Sequence, residues 1–292
     1  MKNILFSLFD SLATFSEYVQ GVETSNTLDD MQSSGRTAKK RVESVISPSV
    51  FSAIVDSEDE ALLDALRSAV ANMTLSVQLV FDTINRRKAG TDVYKYELEQ
   101  MRRAYTENYF NAMDTLISTL TSTVPKESDT TSPAAKWREA RYFKLIDNCQ
   151  IKSADDFDTI YPIDLSYLFF FRTVPLQKET LDERLSAYYD KTDDDRIIAM
   201  LNLALAKKTI AKALRRFDIL EFPPTIRNLF DDNTASRNGK DEHGNALALA
   251  DRLDAEADQL LENVDMLLDG DTTDFASFAA YNTNDDIIVM AP

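Results

Sequence analysis

The sequence predicts an all-α protein made of two tandem, internally duplicated helical-bundle units followed by an extended C-terminal arm. Its 292 residues exceed the roughly 100–200 residues of a usual single domain, which favours two domains. Hydrophobic residues make up 44% of the chain, whereas only 6 glycines and 8 prolines occur, and this composition is typical of a folded helical protein. Similar phrases recur in the two halves, which indicates an internal repeat.

The repeat is indicated by the order and spacing of matching residues. The start of each unit matches at a shift of 142 residues, and a long amphipathic helix matches at a shift of 135. The shift changes only between helices, where insertions are tolerated. A chance superposition of two acidic amphipathic helices is the alternative that the spacing leaves open. The matched pairs are Ser11 with Ser153, Phe15 with Phe157, residues 58–75 with 193–210, and Asp114 with Asp265.

Acidic residues mark the start of one long helix in each unit. Residues 56–58 precede a helix predicted over 59–81, and the three aspartates at 193–195 precede one predicted over 196–216. Carboxylates at these positions can accept hydrogen bonds from free backbone N–H groups and oppose the positive end of the helix dipole. A metal site at 193–195 is the less favoured interpretation, because no second acidic pair with ligand spacing completes it.

A second long helix closes each unit, over 94–120 and over 245–269, where Gly270 ends it. The later helix carries an apolar stripe with steps of three and four residues, which predicts that one face packs into the core. An intermolecular coiled coil is less favoured, because the flanking positions lack sustained charge pairing. The stripe consists of Ala246, Ala250, Leu253, Ala257, Leu260, Val264 and Leu267.

Polar segments divide the chain. A stretch rich in Ser, Thr and Pro marks a linker between the units, and a short loop is predicted over 85–92. A longer polar loop is predicted over 222–246, and the sequence does not indicate a role for its part 231–245. The predicted organisation is a first helical unit over 1–120, a linker over 121–135, a second helical unit over 136–270 and a C-terminal arm over 271–292.

Few residues could carry catalytic chemistry. His243, the only histidine, falls in the polar loop, and Cys149, the only cysteine, is predicted to be a small buried residue. Catalysis by Ser-His-Asp or Cys-His needs a histidine placed against a nucleophile. The sequence also lacks GxxxxGK[ST], GxGxxG, HExxH and CxxC motifs. We therefore expect no enzymatic activity, no cofactor and no metal site.

The charge balance bears on the partners of the protein. The chain has 49 acidic and 32 basic residues, which gives a formal net charge of -17. This charge disfavours a protein that binds DNA by wrapping it. It suits a channel wall past which DNA slides without binding. No stretch is apolar enough to span a membrane, and Asp10 interrupts the apolar N-terminal run, so we expect a soluble protein without a signal peptide. The single cysteine indicates a reducing compartment.

The arm over 271–292 contains a short apolar segment that is the candidate partner-binding site. An Asn-rich spacer precedes this segment and would let it reach another chain. Such a segment can return to its own core, lie in a groove or add a strand to a neighbour, and we favour a partner. The candidate residues are Asp286, Ile287, Ile288, Val289 and Met290.

A resemblance is carried by "IKSADDFDTIYPIDLSYLFFFRTVPLQKETLDERLSAYY" (151–189), the 196–216 helix, "ILEFPPTIRNLF" (219–230) and the heptad-like final helix. Across residues 36–290 the chain resembles the head-tail connector (adaptor) family of phages and prophages of the Bacteroidetes, including crAss-like phages. The similarity lies in word order and helix pattern, and no invariant catalytic motif anchors it. The polar loop at 231–245 departs from this pattern.

The resemblance implies a structural virion protein at the head-tail junction, made in the cytoplasm of the bacterial host. Such connectors form homo-oligomeric rings, commonly twelve-fold, that dock below the portal protein, contact neighbouring tail or ring proteins and extend the DNA channel. It implies that DNA passes through the lumen without specific binding, and that no membrane is involved. A C-terminal arm commonly contacts the portal or a neighbouring subunit, which would match residues 285–292 here.

Two other classes of protein stay open. The chain could be another virion component, such as a tail-chamber or cargo protein, which would also be acidic and helical and would differ only in its position in the assembly. It could instead be a helical peptide-binding module, which we would expect to be monomeric and to bind an extended ligand. An enzyme is a more distant alternative.

Overall fold

Every regular element in the part of the chain that the structure describes is a helix, so the predicted all-α class is confirmed. The computed structural model describes residues 4–23, 26–88, 94–230 and 242–269. No helix among these residues is both long and apolar enough to cross a membrane. One long antiparallel helix pair in each half forms the frame of the fold.

The first half, residues 4–122, is organised around one long helix. After a 3-10 turn at Leu5–Ser7, its helices are α1 (Leu12–Tyr18), α2 (Gln32–Ile46), α3 (Pro48–Val55), α4 (Glu60–Lys88) and α5 (Lys95–Ser122). Helix α4 contacts all four of the other helices, and its contact with α5 is the most extensive. The first half is therefore a bundle with α4 at its centre.

Two short helices, α6 (Pro133–Arg138) and α7 (Arg141–Ile146), lead into the second half, residues 147–269. In that half, helix α11 contacts α8, α9, α10 and α13, so it occupies a central position. The elements are α8 (Ala154–Ile160), α9 (Tyr167–Thr180), a π-helical turn at Leu181–Leu185, α10 (Ser186–Tyr189), α11 (Asp195–Arg216), a 3-10 turn at Ile219–Glu221, α12 (Pro224–Arg227) and α13 (Glu242–Leu268).

A serine side chain caps the N-terminus of the seven-residue helix in each half. The Ser11 Oγ accepts a hydrogen bond from the Thr14 N–H at 3.2 Å, and the Ser153 Oγ accepts one from the Asp156 N–H at 3.0 Å. Each bond satisfies a backbone donor that the helix itself cannot pair. One turn further along, Phe15 and Phe157 are fully buried. Local sequence therefore sets both where these helices start and which side faces the core.

The acidic starts of the long helices α4 and α11 act as caps. The Asp194 side chain accepts a hydrogen bond from the Arg196 N–H at 2.8 Å, within the predicted run at 193–195. At α4 the capping residue is Asp59, whose Oδ1 accepts from the Ala61 N–H at 3.1 Å. The cap of α4 thus lies just after the predicted acidic residues 56–58, because the helix begins at Glu60.

Two loop predictions were wrong at their edges. Helix α4 continues to Lys88, whereas a loop was predicted from residue 85. No glycine or proline occurs between residue 81 and Lys88, so nothing in the local sequence stops the helix earlier. Helix α13 begins at Glu242, so His243 lies in its first turn and is exposed there, rather than in a loop.

The apolar stripe of α13 drifts from its predicted register. Leu261 is fully buried, whereas Leu260 and Leu267 are only partly buried at the edge of the core. Buried residues recur eleven positions apart, which is three turns of a nearly straight helix, whereas a heptad pattern assumes 3.5 residues per turn. The buried residues of the stripe are Ala246, Ala250, Leu253, Ala257, Leu261 and Val264.

One core runs through both halves, and Trp137 lies between them. Its indole is fully buried, donates from Nε1 to the Thr121 Oγ1 at 3.0 Å and meets the Phe171 ring edge-on at a centroid distance of 4.9 Å. Helix α6 packs on α3 and α5, and α7 packs on α9. The short helices after the predicted linker therefore fasten the second half to the first.

Candidate interaction groove between the two halves

The junction between the halves is built where α5 meets the start of α9. The Asp114 carboxylate of α5 accepts hydrogen bonds from the Leu168 N–H at 2.9 Å and the Ser166 hydroxyl at 3.4 Å. Burial raises the pKa of Asp114, and these hydrogen bonds lower it in part. A carboxylate at the positive end of a helix dipole is stabilising. Asp114 thereby fixes the position of α9 against the first half.

The turn before α9 has an unusual backbone that aspartates support. Asp164 and Leu165 have φ values of 56° and 51°, in the left-handed region that non-glycine residues seldom adopt. The Asp158 Oδ1 accepts from the Ile163 N–H at 2.7 Å and from the Leu165 N–H at 3.1 Å. The Asp164 carboxylate accepts from the Thr225 N–H at 2.8 Å and from the hydroxyl of the same residue. This turn therefore holds α12 beside the start of α9.

A groove of about 730 Å³ lies at this junction. Helices α2, α4 and α5 of the first half form one side, and α9 and the 3-10 turn at Ile219–Glu221 form the other. Its volume is within the range of about 300–1,000 Å³ that is usual for ligand sites. We call it the junction groove and define it by its charged residues, which are Arg41, Glu99, Arg102, Arg103, Arg172, Asp218 and Glu221.

Four arginines in one groove are unexpected on a chain with a net charge of -17. Arg172 pairs with Glu221 at 2.8 Å, and Arg103 pairs with Glu107 at 3.3 Å. Among the side chains that the structure describes, no carboxylate lies within 4 Å of the guanidinium groups of Arg41 and Arg102, both of which are exposed. These two cations can attract an acidic ligand.

Arg172 has a constrained position at the second-half side of the groove. Its guanidinium carbon lies 5.0 Å from the centre of the Phe217 ring, a distance typical of a cation–π contact. Its Nε is buried and has no hydrogen-bond partner among the residues that the structure describes. The side chain is therefore held by the aromatic ring and by the ion pair with Glu221.

Apolar side chains line the groove between its charged residues. Val77 and Val80 come from α4, and Phe110 comes from α5. Leu168 and Leu220 contribute from the second half and also line an adjoining cavity of about 320 Å³. The junction groove thus places cations beside an apolar surface.

A second surface extends from the groove towards the end of the α4–α5 pair. Five apolar or aromatic side chains there are between 46% and 71% exposed. Val80 belongs to both surfaces, so they are continuous. Contiguous exposed apolar residues mark interaction sites more often than isolated ones do. This hairpin-end surface consists of Val80, Phe81, Ile84, Tyr94 and Tyr96.

The candidate partner-binding residues Asp286, Ile287, Ile288, Val289 and Met290 lie outside the described residues, as does the segment 231–241. Cys149 is buried, as predicted, and its thiol points to the carbonyl oxygens of Leu145 at 3.5 Å and Val174 at 3.8 Å. Burial raises the pKa of the Cys149 thiol to about 11, which disfavours the thiolate. Over the described ranges, no three His, Cys, Asp or Glu residues come together as a possible metal site.

Sequence reasoning missed the junction groove. Its arginines come from α2, α5 and α9, and only Arg102 and Arg103 are adjacent in the sequence. That doublet and the run Lys39 to Arg41 were the local signals of a basic surface in an acidic chain. The remaining residues meet only because the two halves pack together, which no local pattern indicates.

Fold and groove together define an all-α protein with a groove lined by both basic and apolar residues. Comparison of the chain with protein-family models, with curated proteins and with solved structures found no match. A functional proposal therefore depends on the residues and on their geometry.

Proposed function

We propose that the protein is a structural virion protein, a subunit of a head-tail connector (adaptor) ring that docks below the portal and extends the DNA channel towards the tail. The observation that carries this proposal is the hairpin-end surface, where Phe81, Ile84, Tyr94 and Tyr96 are each exposed near the end of a long helix pair. Exposed aromatic and aliphatic residues on an otherwise charged chain support a role in assembly. A ring subunit of this kind has no catalytic step and no cofactor.

The proposal includes two tandem, duplicated helical units. It is supported by the order of elements, because each half has a serine-capped seven-residue helix followed by a medium helix and a long antiparallel pair. It is also supported by the packing partners. Helix α4 contacts α1, α2, α3 and α5, and α11 contacts α8, α9, α10 and α13 in the same order along the chain.

The charge of the chain supports the proposed passage of DNA. A net charge of -17 gives few sites at which phosphates would be retained, so DNA would pass through a ring lumen without specific binding. In the proposed assembly the arm over 271–292, with Asp286 to Met290, contacts the portal or a neighbouring subunit. The location of the protein would be the head-tail junction of the virion.

The test is the mass of the purified protein, measured alone, mixed with the portal protein encoded nearby, and after removal of residues 283–292. We expect a ring or a co-assembly with the portal that the truncation abolishes. Substitution Phe81→Asp should also prevent assembly, whereas Val124→Asp should not, because Val124 is an equally apolar residue that is 80% exposed outside the hairpin-end surface. A protein that stays monomeric under all these conditions would contradict the proposal.

The junction groove favours a second candidate function, that of a helical peptide-binding module. Its volume of about 730 Å³ and its mixture of arginines with apolar residues suit an extended acidic peptide. This candidate predicts a monomer that binds peptides and ignores the portal protein. Another virion component, such as a tail-chamber or cargo protein, would assemble without the portal and is separated by the same mass measurement.

A further inference from the structure

The junction groove and residues 285–292 have complementary chemistry. The groove has two exposed arginines, Arg41 and Arg102, beside an apolar lining. The sequence of 285–292 is "DDIIVMAP", in which two carboxylates are followed directly by four apolar residues. We propose that residues 285–292 of a second copy of this chain occupy the junction groove. Asp285 and Asp286 would meet the two arginines, and the apolar residues would cover the lining.

Two arginines of this groove differ from the basic residues of α11. Elsewhere in the second half, basic residues of α11 already have acidic partners, such as Lys207 with Glu256 at 2.7 Å and Lys212 with Glu179 at 2.8 Å. Arg41 and Arg102 have no carboxylate partner within the described part of the chain. A ligand with two adjacent carboxylates would complete their ion pairs, and charge-assisted hydrogen bonds of this type are stronger than neutral ones.

The size of the groove also fits a short extended segment. Four apolar residues in extended conformation span about 13 Å, at roughly 3.3 Å per residue. A groove of about 730 Å³ can accept such a segment but not a second helix pair. Because Val80 is shared with the hairpin-end surface, the segment can continue from the groove onto that surface.

The direction of α13 favours docking of residues 285–292 in the groove of a second copy rather than in the groove of their own chain. Near its start, Asp251 and Asp254 pair with Arg215 at 2.8 and 2.6 Å, and the groove residue Glu221 follows soon after in the chain. Near its end, Asp265 accepts from the Tyr188 hydroxyl at 3.0 Å, before α11 begins. Helix α13 therefore runs away from the junction groove for about 40 Å, at 1.5 Å per residue. To return to its own groove, residues 270–284 would have to run back along the helix almost fully extended, whereas a flexible chain of this length spans about 19–23 Å on average.

Residues 270–284 are long enough to reach a neighbour. These fifteen residues span at most about 50 Å when extended, at roughly 3.3–3.6 Å per residue. An arm from one copy in the groove of the next is a head-to-tail contact between two different surfaces. Contacts of this type close into a ring when the rotation between copies allows it. The inference rests on the proposed ring function and assigns its subunit contact.

The first experiment is a charge exchange in the full-length chain. We expect Arg41→Glu with Arg102→Glu to weaken self-association about ten-fold or more, measured as the protein concentration at which oligomers dissociate. Asp285→Lys with Asp286→Lys should do the same, and the four substitutions together should restore assembly. Arg36→Glu is the matched control, because Arg36 is exposed on α2 but does not line the groove. Failure of the exchange to restore assembly would overturn the inference.

The second experiment tests whether the segment of one copy binds the groove of another. A chain lacking residues 283–292 keeps the groove, and the Arg41→Glu, Arg102→Glu chain keeps the segment. When these two chains are mixed, docking between copies predicts a one-to-one complex and no ring, because each chain supplies only one half of the contact. Absence of the mixed complex would overturn the inference.

Failure of this inference is distinguishable from failure of the proposed function. Rings that persist after both the groove substitutions and the truncation would leave the connector proposal in place and overturn the assigned contact. A full-length chain that forms neither rings nor portal complexes, while a synthetic peptide of residues 283–292 still binds the truncated chain, would overturn the connector proposal and leave the groove as a peptide site of a monomer.

Discussion

The two long helix pairs have the same antiparallel arrangement, but different side chains join their helices. In the first half, α4 and α5 have extensive contact and bury large apolar residues, among them Met73 on α4 and Met113, Leu116 and Ile117 on α5. A hydroxyl pair, Ser76 with Thr106 at 3.1 Å, also crosses this contact. The strength of the α4–α5 pair therefore depends mainly on filled volume.

In the second half, the buried side of α13 combines alanines with larger residues such as Leu253 and Leu261, and ion pairs join α13 to α11. Alanines such as Ala250 and Ala257 are fully buried on the shared side of α13. Charged side chains cross at its edges, with Lys207 to Glu256 at 2.7 Å and Lys208 to Asp258 at 2.9 Å. These pairs are partly exposed, so each contributes modestly and is screened by salt.

The difference shows that an apolar pattern determines which helices pair, whereas the residues at the contact determine how the stability of the pair responds to salt and pH. Removal of volume should weaken α4–α5 most, and removal of charge should weaken the α11–α13 contact more than the α4–α5 contact. A buried hydrogen-bond chain, Ser34 to Gln78 at 2.8 Å and Gln78 to Asp82 at 3.0 Å, further fixes α2 against α4. We expect four substitutions to test this comparison.

Trp137→Ala should have the largest effect, because this residue contacts both halves. Loss of a fully buried tryptophan costs about 3–5 kcal/mol of unfolding free energy. We expect hydrogen exchange to accelerate in α4–α5 and in α11–α13 together, at denaturant concentrations where the natural chain is protected. Trp137→Phe should cost less, since it keeps a ring beside Phe171 but loses the bond to Thr121. Faster exchange in one pair alone would mean that the halves are energetically independent.

Leu116→Ala should weaken the first pair by about 2–5 kcal/mol, because it leaves a cavity in a contact that depends on volume. Urea denaturation measures the loss, which 1 M NaCl should leave unchanged. The matched variant in the second pair is Ala250→Leu, which adds volume where a small residue is buried and should cost about 1–3 kcal/mol. The comparison would be contradicted if 1 M NaCl changed the unfolding free energy of the two variants by the same amount.

The parts of the fold that local sequence controls were predicted, and the parts that depend on distant contacts were not. Ser11, Ser153 and the aspartates at 193–195 marked helix starts because a cap bonds to a backbone N–H two or three residues away. The register of α13 was wrong at Leu260, because a straight helix departs from heptad spacing over several turns. Arg102 gave no sign of its groove, since the other side of that groove comes from residues about 70 to 120 positions later.

Asp114→Ala should have a smaller effect, centred on the junction. The carboxylate bonds to the Leu168 N–H at 2.9 Å, and loss of such a cap costs about 0.5–2 kcal/mol. We expect faster hydrogen exchange at the start of α9 and in the facing part of α5. Asp265→Ala is the matched control, because it removes a bond to Tyr188 inside the second half and should leave α5 unchanged. If both variants affect α5 equally, Asp114 does not couple the halves.

Glu179→Gln should have the smallest effect on the unfolding free energy at neutral pH, and this effect should depend on pH. Hydrogen bonds from Arg216 and then Lys212 lower the pKa of Glu179 to about 2. A carboxyl whose pKa is lower in the folded state than in the unfolded state stabilises the fold at pH values above its ordinary pKa of 4.5. This contribution is lost as the pH falls through the folded-state pKa of about 2. The substitution should therefore cost about 0.2–1 kcal/mol at pH 7, the range for partly exposed pairs, and progressively less as the pH falls to 2 and below.

The measurement is hydrogen exchange or urea denaturation of both chains between pH 7 and pH 2, corrected for intrinsic exchange rates. The pKa of Glu256 is also lowered, by Lys207 and then Arg252, so acid should weaken α11–α13 even in the Glu179→Gln chain. At the junction, the effect of acid on stability has the opposite sign. Burial raises the pKa of Asp114 in the folded state, so protonation of this carboxyl does not oppose folding. Acid should therefore loosen the second pair before it loosens α4–α5, and the reverse order would show that ion pairs do not distinguish the two halves.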